Sequence, residues 1–371
     1  MRHIHRNPAG ELMISEMPVA SLAEQFGTPL YVYSGDGFAA YYHAFCDALA
    51  GLDTAVHYAV KANSSLGILG LLAGEGAGAD IVSGGEMQRC LAAGIAANKI
   101  VFSGVGKSDA EIRQALVAGI GQINAESEAE IRHISAIASE MGITAPVALR
   151  VNVNVDPGSH AKISTGQRST KFGIPVADGE AAALYRKIAA DPAIRPAGLA
   201  VHIGSQLTNL APFEAAYLEL LELADSLRAE GLDVPVLDLG GGLGVDYHGD
   251  GEPDFAAYGA LVTRIFSNRG YRLGFEPGRA IAADNGLLLT RTHYIKQGED
   301  KRFIIVDGAM NDLIRPTLYE AFHRIEPVLR PSTPKGLADI VGPVCETGDY
   351  LGQGRDMPEI QEGELLAVFS A

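Results

Sequence analysis

One lysine, Lys61, stands at the end of an apolar run, where its amine could act as a nucleophile. The run AVHYAV at 55–60 has the length of a buried strand, and the turn-forming residues Ala-Asn-Ser-Ser follow the lysine. Burial among apolar groups disfavours the charged form of an amine, and an uncharged amine can form a Schiff base with an aldehyde. A lysine at a strand end can equally extend its ammonium into solvent, so this residue alone leaves both interpretations open.

Two glycine-rich turns offer backbone N–H groups to an anion. DLGGGLG occupies 238–244 after a strand-like run, and FEPGR at 275–279 adds Arg279 to a second turn. Successive glycines let backbone N–H groups approach a phosphate closely. The first turn lacks the early strand–helix–strand context of a dinucleotide fingerprint, and a plain tight turn explains it equally well.

Two further side chains, Glu276 and His202, end strand-like runs and suit a planar ligand. Glu276 belongs to FEPGR, and His202 belongs to HIGSQ at 202–206, which also contains Ser205. A buried carboxylate needs a partner, which is either a protonated ring nitrogen or an arginine. The imidazole could stack on a flat ring, although a single histidine is more often a packed core residue.

Eight short apolar runs must position these residues, and helical patterns such as 109–118, 127–141, 213–230 and 254–269 lie between them. The predicted strands are 55–60, 79–83, 100–103, 122–125, 147–151, 198–203, 236–239 and 272–275. Eight such units favour a (β/α)8 barrel of the TIM type over an open doubly wound sheet, although periodicity does not show closure. In a barrel the carboxyl ends of all strands meet at one face, so we expect one polar pocket there.

After Glu276 the alternation of strands and helices stops, which indicates a second domain. Runs at 287–290, 303–306, 338–341 and 365–369 are separated by turns that contain glycine and proline, as in an antiparallel β domain. Short extended pieces near the amino terminus join it. We therefore expect a barrel domain at 36–278 and a β domain built from 1–35 and 279–371.

The composition excludes several classes of function. The chain of 371 residues has 45 acidic and 29 basic side chains and a net charge of −16, which argues against nucleic-acid or anionic-membrane partners. Its three cysteines have neither disulfide nor zinc spacing, and no apolar run reaches the roughly 18 residues that a membrane span needs. The acidic loop at 246–254 fits no EF-hand. We expect a cytoplasmic protein without a metal centre.

The motifs, taken together, resemble those of a known family. YAVKAN, DIVSGGE, HIGSQ, DLGGGLG, EPGR, RPTLY at 315–319 and CETGD at 345–349 are similar, in this order, to motifs of the diaminopimelate decarboxylases. These are alanine-racemase-like, fold-type III pyridoxal-phosphate enzymes. The similarity runs over nearly the whole chain from FGTPLYVYS at 26–34, and HIGSQ and CETGD favour this family over the ornithine and arginine decarboxylases.

The resemblance implies pyridoxal 5'-phosphate as the cofactor, bound to Lys61 through a Schiff base. It implies that His202 stacks on the cofactor ring and that Glu276 pairs with the pyridine nitrogen. The other residues that it places around the cofactor are Asp80, Ser83, Ser205, Gly241, Gly242, Pro277, Gly278 and Arg279.

The resemblance also implies the reaction, which converts meso-2,6-diaminopimelate to L-lysine and CO2 as the last step of lysine biosynthesis. The implied substrate-binding residues are Arg279, Arg315, Tyr319 and Glu346. Cys345, from the neighbouring subunit of a homodimer with shared active sites, is the implied proton donor and joins Lys61, His202 and Glu276 as a catalytic residue. A decarboxylase of another basic or D-amino acid and a non-catalytic regulatory homologue remain alternatives.

The carboxyl terminus departs from the family pattern. The chain ends in the apolar run LLAVFSA, whereas the resemblance implies a following glycine-tyrosine segment that adds a tyrosine to the cofactor site. We expect that this final segment is missing from the sequence.

Overall fold

The computed structural model describes residues 3–156, 158, 165–166, 170–249, 251–329 and 335–371, so most of the polar loop at 156–171 lies outside the described residues. The chain divides into two compact units. The β-rich unit comprises Met1–Ala40, Val245–Glu252 and Ile281–Ala371, and the barrel unit comprises Tyr41–Gly244 and Pro253–Ala280. The short segment Val245–Glu252 thus groups with the β-rich unit, although it lies within the expected barrel range.

The described strands and helices follow one another in the order that the alternation predicts. The strands are β1 (Ile4–Arg6), β2 (Leu12–Ile14), β3 (Met17–Pro18), β4 (Leu30–Tyr33), β5 (Thr54–Ala59), β6 (Gly78–Ile81), β7 (Ile100–Phe102), β8 (Gln122–Ala125), β9 (Ala145–Asn152), β10 (Ile174–Pro175), β11 (Ile194–Val201), β12 (Val236–Asp238), β13 (Arg272–Phe275), β14 (Gly286–Gln297), β15 (Arg302–Val306), β16 (Ile325–Pro327), β17 (Lys335–Val341), β18 (Tyr350–Pro358) and β19 (Leu365–Phe369). The α-helices are α1 (Val19–Phe26), α2 (Gly35–Ala48), α3 (Leu66–Gly74), α4 (Gly84–Ala92), α5 (Asp109–Ala118), α6 (Glu128–Met141), α7 (Glu180–Ala190), α8 (Ala211–Ala229), α9 (Phe255–Phe266), α10 (Arg279–Ala282) and α11 (Arg315–Tyr319).

The barrel unit contains a closed parallel barrel. Its strands pair in the order β5, β6, β7, β8, β9, β11, β12 and β13, and β13 pairs in parallel with β5. The short β10 adds to β9 outside this ring. All eight predicted strands are confirmed, and the pairing of the first with the last decides for the barrel over the open sheet. β9 is buried over its whole length, as expected for a strand covered on both faces.

The helices that follow β6, β7 and β8 begin in the same way, and this repeat shapes the mouth of the barrel. A serine at the N-cap accepts a hydrogen bond from the backbone N–H of the glutamate three residues later, in the pairs Ser83–Glu86, Ser108–Glu111 and Ser127–Glu130. Such a serine satisfies an N–H group that the start of a helix leaves without a partner. Each capping serine therefore stabilises the first turn of the helix that it precedes.

The β-rich unit contains a three-stranded sheet, β1-β2-β3, and a seven-stranded sheet in the order β16-β19-β14-β15-β17-β18, to which β4 adds beside β14. The amino-terminal strands join the carboxyl-terminal segment, as predicted. The larger sheet is mixed because β15 and β17 pair in parallel, whereas the sequence predicts antiparallel strands throughout. The reason is that α11 and β16 intervene between the two strands, so β17 returns in the direction of β15. Among the described residues, no helix has the length and hydropathy needed to cross a bilayer.

Candidate active site

Lys61 lies in a 3-10 turn, Val60–Ala62, that directly follows the first barrel strand, β5. Its Nζ forms an ion pair with Oδ2 of Asp80, which lies on the neighbouring strand β6 and is fully buried. The other carboxylate oxygen of Asp80, Oδ1, is buried and has no hydrogen-bond partner. A buried polar atom without a partner is costly, so this oxygen indicates a ligand at the Lys61 amine.

The carboxylate of Asp80 acts on the charge of the Lys61 amine. Desolvation lowers the pKa of Lys61, while the charge and the hydrogen bond of Asp80 raise it, and the net pKa lies above the usual value of 10.5. The sequence leaves open whether this amine is buried or extends into solvent; in the folded chain it lies beside an acid from β6, whose charge opposes the effect of burial.

Glu276 follows the last barrel strand, β13, and its side chain is buried. Its Oε1 is 3.4 Å from both the Ser103 Oγ and the Asn124 Nδ2. Desolvation, followed by the charges of Asp238 and Asp80, raises the pKa of Glu276 well above 4.5. Such a carboxyl group takes up a proton more readily than an exposed one and can share it with a ring nitrogen.

His202 follows strand β11, and its ring is held by a backbone contact. The Gly241 N–H donates to Nδ1 of His202 over 3.2 Å, so the imidazole proton resides on Nε2. Desolvation and the positive charges of Arg150 and Lys61 lower the pKa of His202 well below 6.5. The imidazole is therefore neutral at physiological pH, which suits stacking on a flat aromatic ring.

The glycine turn after β12 accommodates no larger side chain. A Cβ at Gly241 would lie 2.1 Å from the carbonyl oxygen of Glu276. A Cβ at Gly242, where φ is +118°, would lie 2.5 Å from the carbonyl oxygen of Gly204. Backbone atoms thus pack closely in a turn that only glycine can form, as an anion cradle requires, and the N–H groups of Gly240 and Gly241 already donate to Oδ1 of Asp238 and Nδ1 of His202.

A hydroxyl and a guanidinium meet within the same unit. The Arg279 Nε and one terminal nitrogen lie 3.3 Å and 3.2 Å from the Ser205 Oγ. Gly278 is adjacent, and a Cβ there would lie 3.0 Å from the Ala59 Cβ. Pro277 is buried, and its carbonyl oxygen accepts the Ala59 N–H over 3.0 Å, so the EPGR turn is fastened to the end of β5. The hydroxyl of Ser83 accepts the Glu86 N–H over 3.2 Å and caps α4.

The barrel contains a buried ion pair that is not among the site residues predicted from the sequence. One guanidinium nitrogen of Arg150, on β9, lies 2.8 Å from Oε1 of Glu126, which follows β8. Oε2 of Glu126 accepts the Gly173 N–H over 3.1 Å, and the Arg150 guanidinium stacks 4.8 Å from the Phe172 ring centroid. The sequence places both charged residues at strand ends, but it does not indicate that they pair.

Asn124 and Asp238 are also missing from the site predicted from the sequence, although the pattern of polar residues in β8 indicates a polar cluster there. Gln122 and Asn124 occupy alternate positions of β8, a strand whose residues are all buried. Two polar residues with a spacing of two in a buried strand share one face, and a polar cluster inside the barrel follows from that pattern. Asp238 ends β12 directly before the glycine turn.

The remaining predicted residues belong to the β-rich unit. Arg315 begins α11, and its guanidinium lies 2.8 Å from the His323 Nε2 and 4.6 Å from the Tyr247 ring centroid. Tyr319 ends the same helix and is partly exposed. Cys345 and Glu346 lie exposed in the turn that precedes β18.

Three hydrogen bonds within the β-rich unit hold this turn. The carboxylate of Asp349 accepts the N–H groups of Met310 and Val344 over 2.6 Å and 2.7 Å. The Thr317 hydroxyl donates to the Gly348 carbonyl oxygen over 2.6 Å. The helix that carries Arg315 and Tyr319 and the turn that carries Cys345 and Glu346 are therefore fastened together.

Comparison with known proteins agrees with the chemistry of these residues. The family model described as "Pyridoxal-dependent decarboxylase, pyridoxal binding domain" matches residues 37–283. Curated diaminopimelate decarboxylases from Vibrio cholerae and Pseudomonas fluorescens are 48% and 49% identical, cover 100% and 98% of this chain, and are themselves covered over 88% and 86%. The chain belongs to the diaminopimelate decarboxylase family.

Solved structures of this family have the same fold. The diaminopimelate decarboxylase of Helicobacter pylori complexed with L-lysine is 38% identical, with a TM-score of 0.90 over 95% of this chain and 88% of the other. That of M. jannaschii, also in complex with L-lysine, is 35% identical, with a TM-score of 0.90 over 99% and 87%. The predicted resemblance and the fold-type III barrel are thus confirmed.

Pyridoxal phosphate is the cofactor of this family, and the residues of the barrel unit fit it. The buried Oδ1 of Asp80 has no hydrogen-bond partner and lies on the carboxylate that pairs with the Lys61 amine. The turn at Gly241 leaves no room for a Cβ. Arg279 and Ser205 form a donor pair that suits a phosphate. The amine suits an aldehyde, and the donor pair suits a phosphate group.

Proposed function

We propose that this protein removes CO2 from meso-2,6-diaminopimelate and releases L-lysine, the last step of lysine biosynthesis. The observation that carries this proposal is the ion pair of the Lys61 amine with the buried carboxyl group of Asp80, in a barrel that also buries Glu276. Relatives of 45–49% identity that carry the name diaminopimelate decarboxylase support the choice of substrate. The protein is then a carboxy-lyase.

Pyridoxal phosphate, when bound, supplies a conjugated electron sink for the carbanion that the departing CO2 leaves behind. Lys61 would hold it covalently, and Asp80, in contact with the Lys61 Nζ, is the nearest base for the proton that this amine must lose first. Glu276 would hold a proton at the ring nitrogen, and the neutral ring of His202 would stack on the cofactor. The phosphate would be bound by Ser205, Gly241, Gly242, Gly278 and Arg279.

We further propose that the β-rich unit supplies substrate recognition. The distal end of the substrate carries an ammonium and a carboxylate, so its recognition requires an anion and a cation, and Glu346 and Arg315 are of the right types. Tyr319 and Arg279 would complete this set. A site built for paired charges rejects ornithine or lysine, because a desolvated arginine would be left unpaired.

The experiment that tests the reaction measures CO2 release from meso-diaminopimelate, with L-lysine and L-ornithine as control substrates. We expect release from diaminopimelate alone. Lys61→Ala and Lys61→Arg should both abolish it, because the arginine keeps the positive charge beside Asp80 but cannot form an imine. Release from ornithine alone would overturn the substrate assignment, and activity in Lys61→Arg would overturn the role of the amine.

We also propose a homodimer in which Cys345 of the neighbouring subunit donates the proton that completes the product. The exposed position of Cys345 in the turn held by Asp349 supports this role. If active sites are shared, a dimer of one Lys61→Ala and one Cys345→Ala subunit has one site in which both residues are intact and one in which both are lost. Half of randomly mixed dimers are of this kind, so mixing should restore about one quarter of wild-type activity. Lys61→Ala mixed with Glu276→Gln is the matched control and should restore none. No restoration in the first mixture would contradict shared sites.

A cytoplasmic location is the last part of this proposal. The three cysteines, Cys46, Cys90 and Cys345, are all unbridged, which is typical of proteins in a reducing compartment. Cell fractionation would test it, and recovery from the membrane or an external fraction would contradict it.

A further inference from the structure

A set of buried polar side chains inside the barrel links Glu276 to residues that the mechanism above does not use. Each is less than one-tenth exposed, and the members are Ser103, Gln122, Asn124, Asp238 and Glu276. In a low-dielectric interior the position of each proton in such a set has a large energetic effect. The hydrogen-bond donors around the two acids determine where that proton resides.

Two N–H groups donate to Asp238, one to each carboxylate oxygen. Its Oδ1 accepts the Gly240 N–H over 3.0 Å, and its Oδ2 accepts from Nε2 of Gln122 over 3.1 Å. The same Nε2 donates to Oδ1 of Asn124 over 2.7 Å, which fixes the orientation of the Gln122 amide. Because both oxygens of Asp238 receive N–H groups, this acid is stabilised as a carboxylate.

Glu276 has the opposite surroundings. The contacts from the Ser103 hydroxyl and the Asn124 amide both reach Oε1, and both are long, at 3.4 Å. Two amides join the acids: Nε2 of Gln122 donates to Oδ2 of Asp238 and to Oδ1 of Asn124, and Nδ2 of Asn124 contacts Oε1 of Glu276. The longer donor contacts of Glu276 make it the better proton carrier of the two acids.

The charged groups around these two acids shift the pKa of each. Desolvation and the charges of Asp238 and Asp80 raise the pKa of Glu276, while Lys61 and Arg150 lower it. Desolvation also raises the pKa of Asp238, against the lowering effects of His57, on β5, and of the Gly240 N–H, and Asp80 raises it further. The two N–H groups that Asp238 accepts distinguish it from Glu276 as the acid that holds a negative charge.

We propose that Asp238 is a positioning residue whose carboxylate, linked to Glu276 through Gln122 and Asn124, keeps the proton of the Glu276–ring pair from being lost to solvent. This inference rests on the proposed role of Glu276 toward the ring of pyridoxal phosphate. When the proton passes from Glu276 to the ring nitrogen, Glu276 becomes a carboxylate and Asp238 stays one. Two negative charges then face one protonated ring, and both oppose loss of that proton to solvent.

The test follows the protonation of the ring nitrogen in the holoenzyme. Pyridoxal phosphate labelled with 15N at the ring is bound, and its 15N chemical shift is recorded across a pH range. In Asp238→Asn, which removes the charge but keeps the shape, we expect the midpoint of ring deprotonation to fall by about one to three pH units. Asp233→Asn, an exposed change on the same connection before β12, should match the wild type.

Two further variants separate the possible failures. Glu276→Gln should abolish the protonated-ring signal, and if the wild type lacks that signal or Glu276→Gln leaves it unchanged, the proposed role of Glu276 fails as well. A second outcome is that the wild type and Glu276→Gln behave as expected while the midpoint of ring deprotonation in Asp238→Asn stays within a few tenths of a pH unit of the wild type. In that case only the inference about Asp238 is overturned. Asp238→Ser removes the same charge with a smaller side chain and replaces Asp238→Asn if the latter does not fold.

Discussion

Replacing Glu126 with alanine should destabilise the barrel unit strongly, because the change leaves a buried guanidinium without its partner. The Glu126 and Arg150 side chains are 2% and 9% exposed and lie 2.8 Å apart. The second carboxylate oxygen of Glu126 also accepts the Gly173 N–H over 3.1 Å. The alanine therefore removes the counter-charge of Arg150 and the acceptor of one backbone N–H.

The magnitude follows from these two contacts. Removal of one partner of a buried ion pair costs about 3–5 kcal/mol. A backbone N–H that loses its acceptor adds about 1 kcal/mol. The expected loss of about 4–6 kcal/mol is a large share of the roughly 5–15 kcal/mol by which proteins are stable. Glu126→Gln keeps an oxygen acceptor and loses only the charge, so its cost should be about 1.5–3 kcal/mol.

Urea unfolding followed by far-ultraviolet circular dichroism measures this loss, since the chain contains no tryptophan for fluorescence. The midpoint should fall while the dependence on urea concentration stays the same. Glu128→Ala is the matched control. Glu128 lies two residues further on and pairs with Lys187 over 2.7 Å, but both side chains are more than half exposed, so we expect little change.

A double variant tests whether the unpaired charge is the cause. Glu126→Ala combined with Arg150→Met should be more stable than Glu126→Ala alone, because no buried charge then lacks a partner. The reasoning is refuted if Glu126→Ala costs no more than Glu128→Ala, or if the double variant is less stable than the single one.

Two other predictions concern the residues expected to hold the cofactor. The pKa of His202 is depressed in the folded protein, so the unfolded chain binds more protons below about pH 6.5. The free energy of unfolding should therefore fall as the pH falls through that range. His202→Gln should flatten this pH dependence in unfolding experiments between about pH 5 and pH 7.5, and an unchanged dependence would contradict the prediction. Gly241→Ala should weaken pyridoxal-phosphate binding about tenfold or more in absorbance titrations, because the new Cβ would lie 2.1 Å from the Glu276 carbonyl oxygen. Gly106→Ala, where a Cβ meets nothing within 4 Å, should bind normally, and equal affinities in the two variants would show that the turn tolerates a side chain.

Local pattern was sufficient for much of the architecture. The eight barrel strands could be read from apolar runs, because a strand buried on both faces must be apolar over its length. Lys61, His202 and Glu276 could be placed at strand ends for the same reason, since the polar residue that follows such a run marks where the strand stops. The glycine turn at 240–242 was equally visible, because no other residue allows such close backbone contact.

Long-range contacts decided the rest. Closure of the barrel depends on pairing between β13 and β5, which lie far apart in the chain, and the parallel pairing of β15 with β17 depends on the path between them. The pairing of Arg150 with Glu126 requires the lateral register of β8 and β9. No periodicity within one strand contains this information.

The sequence by itself determined which residue types stand at the mouth of the barrel, because composition and spacing along one strand are local properties. The charge states of those residues were decided only by the tertiary structure. Burial lowers the pKa of Lys61, yet the neighbouring acid from β6 raises it above its usual value, and the N–H groups of Gly240 and Gln122 converge on Asp238 and not on Glu276. Protonation depends on the sum of charges and donors that converge from many strands, and that sum exists only in the folded barrel.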